Sequence, residues 1–103
     1  MLCAMKELIV NSRVYWDLEL ASEFYELQDP GAGDYFNRSI AADIYSLRQL
    51  NGIHREFCGF HKMLATKFPC AIYYTVTAST IEVMAVLDQR RDPKWIRRQL
   101  RKR

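Results

Sequence analysis

Two side chains in this chain of 103 residues, His54 and His61, titrate near neutrality by default, so proton transfer at ordinary pH starts from them. With Cys58 and Cys70 they could supply four ligands to zinc. In an extended segment, however, His54 and Cys58 point to one face and His61 to the other. A mixed-face set carried on a strand makes a poor cage, and no metal is expected. Cys3, Cys58 and Cys70 are the three cysteines and have no CxxC spacing, so they form no disulfide framework and are expected as buried or surface thiols. Phosphate-cradling glycine loops, the dinucleotide fingerprint and Ser-His-Asp signatures are absent, and nothing implies a cofactor or a small-molecule substrate.

The other chemically equipped group is cationic. Net charge is +3, yet Arg90 to Arg103 carries six Arg and two Lys against one Asp, a net +7. The preceding 89 residues hold seven basic and eleven acidic side chains, a net −4. Such a block commonly meets nucleic acid or an acidic partner, the plain alternative being a solvated segment. An apolar content of 50% with 13% aromatic residues excludes a disordered chain. The length suits one domain spanning 1–103. No apolar run approaches the ~20 residues that cross a bilayer, and MLCAMKELIV lacks the flanks of a secretion signal, so a cytoplasmic protein with no membrane partner is expected.

The elements that position these groups centre on Phe68 to Pro93. Two β-rich runs there, with Ala71, Tyr73 and Thr75 on one face and Ile72, Tyr74 and Val76 on the other, predict central strands covered on one side and partly on the other. Ala78-Ser79 lacks hairpin-turn chemistry, so the pairing rests on the flanking pattern. Upstream, Lys6 to Val10 reads as a short strand, and Asn11 or Ser12 can cap a helix over Arg13 to Gln28. Its stripe is Val14, Leu18, Ala21 and Tyr25, broadened by Trp16, Leu20, Phe24 and Leu27. Asp29-Pro30-Gly31-Ala32-Gly33 breaks it, and a second helix runs from about Asp34 to Leu50, stopped by Asn51-Gly52. Ile53 to Thr66 holds one or two strands with a bulge or tight bend at Gly59. Asp92-Pro93 starts a short helix over Lys94 to Leu100, pinned through Ile96 or Leu100. The expected class is α+β, β-α-α-β-β-β with a short last helix, its mainly antiparallel sheet carrying a helical hairpin on one face.

A strand, a helical hairpin broken at Asp-Pro-Gly, then Gly59-Phe60-His61-Lys62-Met63-Leu64, Phe68 to Tyr74, and Asp88 to Trp95 together resemble the RelE/ParE superfamily. Its members are small toxins of bacterial type II toxin–antitoxin pairs, often called plasmid stabilisation proteins. The resemblance implies a RelE/ParE-like fold, growth inhibition and a cognate acidic antitoxin from an adjacent gene. One branch enters the ribosome and cleaves mRNA; the other binds DNA gyrase and is no nuclease.

A ribonuclease would need a proton acceptor, cations on the phosphate and an acid for the leaving oxygen. The candidates are Lys62, His61, Arg90 and Arg91, with Lys62 standing where relatives usually place an Arg. Ribonuclease relatives often carry the acid as a Tyr or His near the C-terminal end; here no Tyr follows Tyr74 and no His follows His61, so no complete set is visible. That gap favours the gyrase-binding branch, with the endoribonuclease as alternative and a non-toxic partner in repression as a third class. Arg90, Arg91, Lys94, Trp95, Arg97 and Arg98 are the expected contacts to target or antitoxin. Trp16 and Phe24 are expected first as core, since aromatics at helical spacing usually are, and otherwise as part of an antitoxin groove.

Overall fold

The structure is a computed structural model that describes residues 5–103. Along the chain run β1 (Glu7–Val10), α1 (Ser12–Gln28), α2 (Ala32–Leu50), β2 (Glu56–Phe57), β3 (Phe60–Leu64), β4 (Cys70–Val76), β5 (Thr80–Asp88) and α3 (Pro93–Arg101). The five strands form one sheet in the order β1-β5-β4-β3-β2. Every pairing is antiparallel except that of β1 with β5, which is parallel from Glu7↔Thr80 to Val10↔Val83. The stretch 53–66, read from sequence as one or two strands, holds two. Cys58 (φ 53°) and Gly59 (φ 85°) make the tight turn between them. Cys3 lies outside the described residues.

The helical hairpin covers one face of the sheet, as expected, and α3 covers part of the other. Ile72, Tyr74, Ile81, Val83 and Val86 face the α1–α2 hairpin and pack with Val14, Phe36, Ile40 and Leu47. Ala71, Tyr73, Ala85 and Leu87 face the other way and pack under Ile96 and Leu100 of α3. This double cover is why β4 and β5 read as near-continuous apolar runs. A bulge lets β5 serve both faces: Tyr73 opposes Ala85 while Tyr74 opposes Val83, so Met84 is the extra residue and the inward phase shifts across it. As expected, Asp92 caps α3 by accepting from Lys94 N–H (2.9 Å), with Pro93 in the first turn.

The hairpin's turn is built by Glu26. Its carboxylate accepts from Gly31 N–H and Gly33 N–H, each at 3.0 Å, and these bonds hold its pKa below the ordinary value. Gly31 takes φ 92°, while Gly33 answers a different need: a Cβ there would lie 2.6 Å from the Ser22 carbonyl oxygen of α1. The helices touch backbone to backbone at that point. Tyr25, Phe36 and Phe68, with ring centroids 4.8–5.3 Å apart, close the cluster between the hairpin and the β3–β4 loop.

A second node ties the α2–β2 link to the sheet. The fully buried Tyr74 hydroxyl accepts from Gly52 N–H (3.1 Å) and is also hydrogen-bonded to His54 Nδ1. His61 donates from Nδ1 to the His54 carbonyl oxygen (2.8 Å) and stacks on the Tyr74 ring.

Gly33→Ala is expected to lower stability by about 1–3 kcal/mol, read from urea unfolding, because backbone must move to admit the methyl. Burial, and then the charge on His61, hold the pKa of His54 below the usual imidazole value. An unfolded chain therefore takes up that proton first. The stabilisation is complete above about pH 6.5 and is lost as pH falls through the lower folded value. The melting temperature should fall from about pH 7 to about pH 5, and His54→Gln, which removes the titrating group, should flatten that dependence. Parallel pH profiles for the two proteins would refute the role given to this node.

Candidate functional site: a groove between α1 and α3

The helix α1 is apolar on two sides. At 100° per residue, Val14, Leu18, Ala21 and Tyr25 lie on one arc and Trp16, Leu20, Phe24 and Leu27 on another, their centres roughly 135° apart. The first arc packs on the sheet. The second is exposed, with Trp16 at 70%, Leu20 at 67%, Phe24 at 49% and Leu27 at 88% of full accessibility. Trp16 and Phe24 are therefore not core, contrary to the first expectation. They belong to a ridge, and the angular arithmetic alone could have separated it from the buried stripe.

Beside this ridge lies a groove of about 640 Å³, walled by Trp16, Leu20 and Phe24 on one side and Trp95 and Gln99 of α3 on the other, with Val86 and Leu87 on its floor. Arg91 covers the face of Trp95 at 3.9 Å. One end of the groove is closed by Asp17 and Arg103, whose side chains are only 10% and 8% exposed. Arg103 makes two 2.8 Å bonds to the Asp17 carboxylate and a further bond to the Met84 carbonyl oxygen (3.0 Å). Asp17 also accepts from Val86 N–H (3.0 Å). The pair thus satisfies peptide groups on the edge of β5 that β1, ending at Val10, does not reach. Neither residue was singled out from sequence, and a contact across 86 positions leaves no local signal.

The other candidates are dispersed. Lys62 and His61 are neighbours on β3 and so point to opposite faces of the sheet. His61 lies against Tyr74 on the hairpin side, whereas Lys62 sits 5.1 Å from the Phe57 ring on the α3 side. Arg90 is held by Asp88 through bonds of 3.1 and 2.8 Å, which keep the Asp88 carboxyl below the usual carboxylate range. Tyr73, on the face of Lys62, is fully buried, and its hydroxyl accepts from Gln89 Nε2 (3.0 Å). Lys94, Arg97 and Arg98 are exposed and carry no salt bridge among the described residues.

The thiols are also apart. Cys58 is exposed in the β2–β3 turn; Cys70 is buried, and burial above all pushes its thiol up to about 12, so it is no nucleophile. No group of three or more His, Cys, Asp or Glu among the described residues is arranged to hold a metal ion.

This architecture, a mixed five-stranded sheet between a helical hairpin and a last helix, is the RelE/ParE-like fold expected from the sequence. Among solved structures, a chain of the "Chromosomal ParDE TA system from P. aeruginosa" matches with a TM-score of 0.71 at 18% identity, covering 80% of this chain and 94% of that one. At that identity the likeness is one of fold. No family model and no curated relative matches the sequence. Among the described residues, no helix is long and apolar enough to cross a membrane.

Removing Arg103 leaves a buried carboxylate with only the Val86 amide as partner. Arg103→Ala should destabilise by roughly 3–5 kcal/mol in denaturant unfolding. Asp17→Ala combined with Arg103→Ala should fall well short of the sum of the single losses.

Proposed function

We propose that this chain is the toxin component of a type II toxin–antitoxin pair, neutralised by a cognate antitoxin whose segment occupies the groove between α1 and α3. The observation that carries the reading is the exposed ridge whose Trp16, Leu20 and Phe24 line that groove. Large aromatic and aliphatic side chains lined up along a concavity are what a partner helix or strand uses as anchors. Arg91, over Trp95 at the groove wall, would meet acidic side chains of such a partner. The ParDE structure with the same fold supports the assignment to a pair.

For the target, the reading is a large protein bound without chemistry, as in the gyrase-directed branch. Ribonuclease action needs its acid, base and cations around one phosphate. Here His61 and Lys62 lie on opposite faces, Arg90 is engaged by Asp88, and α3 covers Tyr73. Cytoplasmic action follows from either target.

Induced expression should arrest bacterial growth, and co-expression of the adjacent small open reading frame should relieve it and yield a co-purifying complex. Trp16→Ala with Phe24→Ala should weaken that complex by about 100-fold or more, as two hot-spot anchors would, while leaving growth arrest intact. The purified chain should inhibit gyrase supercoiling. Ribosome-dependent transcript cleavage that disappears in Lys62→Ala or Arg90→Ala would replace this target with the endoribonuclease. Absence of both activities, with a complex still formed, would leave the repressor-only role.

A further inference from the structure

The groove engages one side of α3 and the core another; a third side is unassigned. At 3.6 residues per turn, Lys94, Arg97, Arg98 and Arg101 fall within an arc of about 100°. That arc points away from the buried Ile96 and Leu100 and is distinct from the groove-lining Trp95, Gln99 and Arg103. All four side chains are exposed, and none makes a salt bridge among the described residues. From Lys94 to Arg103 there is no acidic residue at all. The cationic surface continues toward the sheet, where Arg97 and Lys62 lie 5.8 and 5.1 Å from the Phe57 ring.

Like charges four apart on a helix repel, and this face holds two such pairs, Lys94 with Arg98 and Arg97 with Arg101. The helix C-terminus favours Arg98 and Arg101, but it offers nothing to Lys94 in the first turn. The repulsion is therefore left for an external anion to relieve. A convex face of cations with no apolar centre is a poor protein interface, which needs a dry core inside its polar rim. Nor does it offer free aromatic faces for unstacked bases, because Arg91 already covers Trp95. Regularly spaced phosphates fit it best: Lys94 to Arg101 spans roughly 10 Å of helix, a length over which a duplex presents about three phosphates of each strand, counted along its axis.

We propose that the outer face of α3 is a docking surface for the phosphate backbone of a nucleic-acid duplex, separate from the groove and readable without sequence preference. The inference does not depend on the toxin reading.

The test is fluorescence anisotropy of a labelled DNA duplex of roughly 20 base pairs and arbitrary sequence, titrated with the full chain from about 50 to about 200 mM NaCl. The expected result is binding whose log K falls against log salt with a slope of about −3 to −4, given about −0.9 per phosphate contact. Arg98→Ala with Arg101→Ala, two exposed side chains whose loss should leave the circular-dichroism spectrum unchanged, should weaken binding by about tenfold or more and flatten the slope by about 2. Arg98→Lys with Arg101→Lys should keep the slope, and Trp16→Ala with Phe24→Ala should change neither quantity. No binding at the lowest salt, or binding indifferent to the double alanine variant, overturns the proposal. So does displacement of the duplex by poly-L-glutamate at matched charge, which would assign the face to an acidic polypeptide.

Discussion

A nine-residue strand beside a four-residue parallel neighbour has to dispose of the peptide groups its neighbour never reaches. In β5 those groups lie beyond Val83, where the chain leaves β1, turns at Asn11 and enters α1. Unpaired edge groups covered by helices would carry a heavy desolvation penalty. The solution is a side-chain substitute for a strand. Asp17 takes the Val86 amide, Arg103 supplies the Met84 carbonyl, and the two are joined by paired 2.8 Å bonds. Because Asp17 sits on α1 and Arg103 follows α3, this one ion pair fixes both helices against the same strand. The groove is the space that remains between them.

The bulge at Met84 serves the same end. Without it, Val83 and Val86 could not both face the hairpin, and Ala85 and Leu87 would fall on the face of Val83 instead of facing α3. A strand that changes phase midway presents apolar residues to two layers while turning its edge toward the Asp17–Arg103 pair. Tyr73 and Tyr74, adjacent on β4, divide the same way. Each is buried, and each hydroxyl is satisfied by a different layer, Gln89 for one and the Gly52–His54 link for the other.

Local chemistry made much of this legible in advance. The Asn11 cap, the Pro-Gly break, the Asn51-Gly52 stop and the Asp92-Pro93 start depend on a few neighbouring residues and stand where the sequence placed them, except that α2 begins at Ala32, two residues earlier than expected. Features set by distant partners were not legible. The parallel partner of β1 lies about 70 positions away, and no pattern within Lys6 to Val10 distinguishes it from an antiparallel edge. The ridge on α1 is an intermediate case. Its residues are visible in the sequence as an apolar set, but apolarity does not separate them from the buried stripe; only their angle about the helix does. The candidate set His61, Lys62, Arg90 and Arg91 was legible as charge and not as geometry. Alternation along β3 already puts the first two on opposite faces.

The last helix shows why the basic block cannot be treated as one feature. Its cations divide by angle and by company: Arg90 is neutralised by Asp88, Arg103 is buried against Asp17 and Arg91 lies on an aromatic face, while Lys94, Arg97, Arg98 and Arg101, and Lys102 beyond the helix, make no salt bridge among the described residues. The buried pair holds the helix in place, which in turn keeps the outward cations on a rigid support. A flexible tail of the same composition would lose entropy on meeting any anion, whereas a helix pinned by Ile96, Leu100 and Arg103 has already lost it. The net charge is modest; its fixed placement on one arc of α3 is what gives the surface its capacity to select a partner.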